Sequence, residues 1–158
     1  MKQPSYKDLR FDPATIINLE KGKLPPQAID LEEVVLGAMM IDKKGVDEVI
    51  DILTPESFYK EVHQNIFDAI FKLFQRSEPI DLLTVSNQLK KDSTHEKVGG
   101  DFYLISLTQK VSSSAHIEFH ARIILQKFIQ RSLIKISNEI ISRNLLACLR
   151  FIINEKYF

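Results

Sequence analysis

The chain has 158 residues and a mass of 18.2 kDa, enough for one domain of ordinary size that buries a core without disulfides or metals. Lysine and arginine number 21 against 21 for aspartate and glutamate, a balance that argues against a simple polyanion binder or an acidic disordered tail. Hydrophobic residues at 44%, charged residues at 27%, five Gly, six Pro and a single cysteine, Cys148, exclude collagen-like, low-complexity and disulfide-framework chains.

The first residues lack the apolar segment of a signal peptide, and no apolar run approaches the roughly 18 residues of a membrane span, so a soluble cytosolic protein is expected. Residues 1–23, interrupted by Pro4 and Pro13, read as a flexible tail; Leu24-Pro25-Pro26 ends it in extended backbone.

From Asp30 the signals are helical. Asp30-Leu31-Glu32-Glu33 has the form of a capping box, with Asp30 accepting early backbone N–H groups and Glu33 reaching back. Leu31, Val34, Val35, Ala38 and Met39 follow at helical spacing. Lys43-Lys44-Gly45 is expected to break this helix, with Val46, Val49, Ile50 and Ile52 forming a second, shorter one. Thr54-Pro55-Glu56 marks another N-terminus: a cap, a proline at the first helical position, then an acid. Phe58 and Tyr59 lead into His63–Arg76, where Ile66, Phe67, Ile70, Phe71, Leu73 and Phe74 make an apolar face broad enough to predict the centre of the core. Ser77-Glu78-Pro79 stops that helix. Asp81 caps the next, which carries Leu82, Val85 and Leu89. Val98-Gly99-Gly100 is a tight turn before a sixth short helix with Phe102, Tyr103, Leu104 and Leu107. No hairpin dipeptide and no bounded alternating run appears, so the fold class is all-α.

The last part differs in kind. Ser112–Ser114 offer caps, and residues 115–142 contain neither Pro nor Gly, which predicts one helix of about 42 Å. Its apolar residues form two series stepping by 4, 3, 4: Ile117, Ala121, Ile124, Phe128, and then Ile129, Leu133, Ile136, Ile140. The one-residue displacement turns the apolar face by about 100°. The first series suits the head; the second, our candidate oligomer interface, requires another helix or another subunit. Charge follows the same division, with nine basic against fourteen acidic residues over 31–114 and seven against three over 115–158. The chain thus divides into a tail (1–23), a helical head (24–114) and a stalk (115–158).

Catalytic and metal sites are not found. None of the five glycines begins the Gly-x4-Gly-Lys-[Ser/Thr] loop that cradles nucleotide phosphates, so no ATPase is expected of this chain. His116 and His120 share one helix face, but the acid lies one position too late for a zinc peptidase and no third ligand is identifiable, so they read as solvated or capping residues. His63 has no partner that would make it a general base in this pattern. The stalk cations Arg122, Lys127, Arg131, Lys135 and Arg143 are sparse and read as a solvated face, with a nucleic-acid track as the alternative. No catalytic, cofactor-binding or metal-binding residue is assigned.

Leu24-Pro25-Pro26-Gln27-Ala28-Ile29-Asp30-Leu31-Glu32, followed by Val35-Leu36-Gly37-Ala38-Met39-Met40-Ile41-Asp42, closely resembles the opening of the N-terminal domain of the hexameric bacterial replicative DNA helicase, the DnaB family. The resemblance continues through Phe58-Tyr59, His63–Phe67, Pro79–Val85, Val98-Gly99-Gly100 and Tyr103-Leu104, and covers roughly residues 24–142. It implies a helical head and a long helix forming half of a helical hairpin. It further implies assembly with itself, as a dimer or a hexameric ring built as a trimer of dimers, and docking of primase and of a helicase loader at the bacterial replication fork. Contact with DNA would be indirect, and membranes would not be involved. ATP and Mg would belong to a separate motor domain, in which the family carries its ATP-dependent 5'-3' helicase activity. A primase's helicase-interaction domain has a similar fold and stands as an alternative, though the Leu24–Asp42 and Val98–Gly100 motifs favour the helicase. The residues from Asn144 to Ile153 do not resemble the family's second hairpin helix; their spacing is compatible with prolonging the stalk or with turning back at Asn144.

Overall fold

The structure, a computed structural model, describes residues 24–111 and 116–155, with side chains described through Asn144. The expected tail (1–23), the serine caps at 112–114 and the Cys148 side chain lie outside the described residues. Six α-helices and one 3-10 turn are described, with no strand among the described residues: α1 (Ile29–Ile41), α2 (Lys43–Val49), the 3-10 turn (Pro55–Ser57), α3 (Glu61–Gln75), α4 (Leu82–Lys91), α5 (Gly100–Gln109) and α6 (Ile117–Glu155). The all-α expectation holds.

The middle of the head is α1, not the phenylalanine-rich α3. Six consecutive residues, Val35–Met40, are buried, and α1 touches each of the other five helices. A helix apolar all round belongs inside. Gly37 makes this possible, since a Cβ there would stand 2.2 Å from the Leu107 carbonyl oxygen on α5. Helix α3 buries Ile66, Phe67, Ile70 and Leu73, whereas Phe71 is half-buried and Phe74 exposed, so α3 is an amphipathic wall of the core.

Two local expectations fail for identifiable reasons. The Asp30–Glu33 capping box does not form: α1 starts at Ile29, and the amides of Leu31 and Glu32 both donate to the Ala28 carbonyl at 3.0 Å. Glu32 and Glu33 are instead buried and engaged by other parts of the head. Lys43-Lys44-Gly45 does not break the helix but begins the next one. Asp42 caps α2 by accepting from the Lys44 amide at 3.0 Å, and Gly45 is buried inside it because Ile117 Cδ1 lies 3.1 Å from where its Cβ would be.

The remaining punctuation behaves as its chemistry dictates. Thr54 and Ser57 form a capping box around Pro55, though the helix it opens is a single 3-10 turn. Asp81 and Thr84 form another at the start of α4, each side chain accepting from the other's amide at 2.9 Å. Gly99 and Gly100 have φ of 91° and 65°, left-handed values that glycine adopts at little cost. Helix α6 runs unbroken through Asn144 to Glu155, so residues 144–155 prolong the stalk rather than turning back. Its 39 residues correspond to about 58 Å.

Candidate interaction surface

The stalk is seated on the head by its first apolar series. Ile117, Ala121 and Ile124 are buried and Phe128 is half-buried, while α6 packs on α1, α2 and the 3-10 turn. Arg131 continues this series one step further, three residues after Phe128, and it ends the seating. Its Nη1 donates to the Pro26 carbonyl at 2.8 Å and its Nη2 to the Ser57 carbonyl at 2.7 Å. The same guanidinium lies 5.6 Å from the centroid of the Tyr59 ring and 5.8 Å from that of Phe128. Burial lowers the Arg131 pKa, against the charges of Glu32 and Tyr59, which support its protonated form. The stalk, the entering Pro25-Pro26 segment and the turn before α3 therefore meet on one side chain.

Beneath this junction lies a buried polar cluster. Glu32 accepts from the Tyr59 amide at 2.7 Å and from His63 Nδ1 at 2.6 Å; His63 Nε2 shares a 2.8 Å hydrogen bond with the Tyr103 hydroxyl. With the proton on Nδ1, a neutral His63 ring accepts from Tyr103, and both nitrogens are satisfied. His63 is thus an interior structural histidine. Glu33 is held by Lys110 and, at 3.5 Å, by Lys60. Burial pushes the Glu33 carboxyl up, but the hydrogen bond and charge of Lys110, helped by Lys60, outweigh it and leave the pKa below the ordinary value. Burial, with Glu33 and Glu32 nearby, pushes the Tyr103 phenol up to about 12. The Tyr103 hydroxyl, between His63 Nε2 and the Glu33 carboxylate, is a hydrogen-bonding group.

The second apolar series of the stalk is exposed. Ile129, Leu133, Ile136 and Ile140 are 48%, 59%, 52% and 54% exposed, and Ile134 and Ile141 widen the apolar strip. Exposed leucine or isoleucine is unremarkable singly; here six such side chains lie along one stretch of helix as a contiguous apolar strip. Beside it runs a groove of about 1110 Å³ between Leu24, Pro26 and Tyr59 on one bank and Ile134, Lys135 and Asn138 on the other.

The other residues considered from sequence are dispersed. His116 is exposed, and His120 is half-buried with no hydrogen-bond partner for its Nδ1. Among the described residues no group of three His, Cys, Asp or Glu side chains is arranged to hold a metal ion. Arg122 pairs with Glu118 at 2.6 Å one helical turn away, and Arg131 is spent on two carbonyls, which leaves the stalk little of a continuous basic track. No described helix is long and apolar enough to cross a membrane. Sequence reasoning counted Arg131 among the solvated cations. The available signal was its register, a charge placed on the buried series.

Residues 24–126 match the family described as the DnaB-like helicase N terminal domain. A replicative DNA helicase DnaB of Rhodothermus marinus is 44% identical over 115 residues, which are 73% of this chain and 12% of that protein. The N-terminal domain of DnaB helicase from Mycobacterium tuberculosis superposes with a TM-score of 0.77 at 32% identity, covering 79% of this chain and 89% of that one. The N-terminal domain of DnaB helicase from Helicobacter pylori, described together with its interactions with primase, has the same fold, with a TM-score of 0.63 at 23% identity over 73% of this chain and 89% of that one. The chain spans between 12% and 27% of the length of the curated relatives it matches. Because the family match takes in α1 through α5 and the first residues of α6, to Gln126, the chain belongs to the DnaB-like helicase N-terminal domain family.

Proposed function

We propose that this chain works as a non-catalytic collar module of a replicative DNA helicase, one that joins copies of itself into a ring and presents the ring to primase. The observation that carries the reading is the second apolar series of α6, which the head leaves uncovered. Fully burying such a side chain is worth roughly 1.5–3 kcal/mol. These are about half exposed, so each contributes about half of that, and four on each of two paired stalks still supply a substantial driving force. Primase docking is carried over from relatives of the same fold, one of which was described with its primase interactions. In this reading nucleotide and magnesium chemistry belongs to a motor domain, contact with DNA is indirect, and the site of action is the bacterial replication fork.

Light scattering behind size exclusion, over a range of concentrations, tests the first half. Dimers or hexamers are expected, and a monomer of 18 kDa at every concentration would end the proposal. Co-elution with a bacterial primase tests the second half. Failure there, with self-association intact, would reduce the function to oligomerisation.

A further inference from the structure

A second groove, of about 960 Å³, lies on the head at the far end of α3 from the stalk junction. Its floor is apolar: Val46 from α2, Phe71 and Phe74 from α3, and Ile80 from the turn that follows. Phe74 is left exposed there. Asp47, Asp51 and Glu78 stand along the rim, and Lys43 is the one cation in the lining. Asp47 and Asp51 make no ion pair among the described residues, and with Glu78 they outnumber Lys43 three to one along the groove. Such a groove suits a short basic segment with aromatic or aliphatic anchors.

The chain contains one. Tyr6-Lys7-Asp8-Leu9-Arg10-Phe11 places two cations among two aromatics and a leucine, and residues 1–11 carry three basic side chains against one acidic. Reach is sufficient. Leu24 lines the stalk-side groove together with Tyr59, just before α3, whereas Phe74 and Gln75 line the second groove at the other end of that helix. The separation is therefore about the length of α3, roughly 22 Å. Residues 12–23 can span up to about 40 Å. We propose that the acidic groove between α2 and the end of α3 is a docking site for the chain's own segment Tyr6–Phe11, held by Lys7 and Arg10 on Asp47 and Asp51. This assignment is independent of the stalk and of any ring.

A spin label on the full chain tests it, placed at Ser5→Cys with Cys148→Ser. At low salt the label should broaden the methyl signals of Val46 and Ile80 at least several-fold more than those of Ile134 in the stalk-side groove. The broadening should vanish in Lys7→Glu/Arg10→Glu and, separately, in Asp47→Lys/Asp51→Lys, whose two positions are exposed and leave the core intact. Absence of selective broadening in the unsubstituted chain overturns the proposal, as does broadening that survives both charge reversals. A mixture of labelled and unlabelled copies distinguishes the route. Equal broadening in the unlabelled copy would replace the intrachain contact by one between copies and overturn the assignment as stated.

Discussion

The guanidinium of Arg131 and the ring of Tyr59 lie 5.6 Å apart at the end of the stalk's buried series. Two carbonyls, of Pro26 and Ser57, complete the junction. Arg131→Met keeps the stem and removes the charge and both hydrogen bonds, and should lower stability by about 1–2 kcal/mol. Arg131→Lys should recover only part of this, because an ammonium does not reproduce the fork that reaches two carbonyls at once. Urea unfolding followed by circular dichroism reads both; equal stability of all three proteins would show the junction to be decorative.

The Glu32–His63–Tyr103 cluster makes a sharper demand, because every member is partnered. Glu32→Ala strips a buried histidine and a backbone amide of their acceptor and should cost roughly 3 kcal/mol. Tyr103→Phe leaves only one nitrogen of His63 unanswered and should cost nearer 1 kcal/mol. The order of the two unfolding midpoints is the informative result, and the reverse order would mean that Tyr103, not Glu32, organises the cluster.

At Gly37 two effects oppose each other. In an isolated helix Gly→Ala is favourable by about 1 kcal/mol. Here the new methyl would meet the Leu107 carbonyl at 2.2 Å, with backbone on both sides of the contact. Overpacking should win, making Gly37→Ala destabilising by about 2 kcal/mol or more. A raised melting temperature in calorimetry would contradict the close α1–α5 approach.

Leu133→Glu/Ile136→Glu alters residues already exposed on the single chain, so the head should keep its helical spectrum and unfolding midpoint. In an assembly through this strip the same carboxylates would be buried without partners. Light scattering should therefore show dissociation at concentrations where the unsubstituted chain associates. Unchanged association would move the interface elsewhere on the molecule.

The turn between α4 and α5 carries a pH dependence whose sign can be worked out. Its hydrogen bond to Asp101, at 2.9 Å, raises the His95 pKa above 6.5. The Ser86 hydroxyl first, and then His95, hold Asp101 down to about 2 from 3.8. A raised histidine pKa gives a contribution that is full below 6.5 and fades as pH rises through the folded value; a depressed aspartate gives one that is full above 3.8 and fades toward 2. The pair should therefore tighten the turn most between those two limits. Proton NMR should place the His95 titration above 6.5 in the native chain and lower in Asp101→Asn, and identical titrations would remove Asp101 as the cause.

Much of this was readable from residue order. The helix punctuation at Thr54-Pro55, Asp81 and Gly99-Gly100 is local chemistry, and the structure uses it as written. The two stalk series were legible because a one-residue slip in period rotates a face regardless of what it meets. The failures share a cause in long-range contacts. Glu33 had a satisfactory local role as the far half of a capping box, and Lys110, 77 residues away, took it instead. Gly45 looked like a breaker because nothing nearby in sequence announces Ile117. Arg131 was misassigned because its two acceptors lie 105 and 74 residues upstream.

The length of α6 has a mechanical consequence. From Arg131 to Glu155 the helix projects about 36 Å, while its seat on the head is only about 21 Å, from Ile117 to Arg131. A rigid helix of this length magnifies at its far end any rotation at its seat. A tilt of about 10° at the seat sweeps the far end through roughly 6 Å, more than one helical pitch. A partner gripping the tip would thus feel a magnified version of whatever small rotation the head undergoes, and a partner leaning on the head would move the tip in turn.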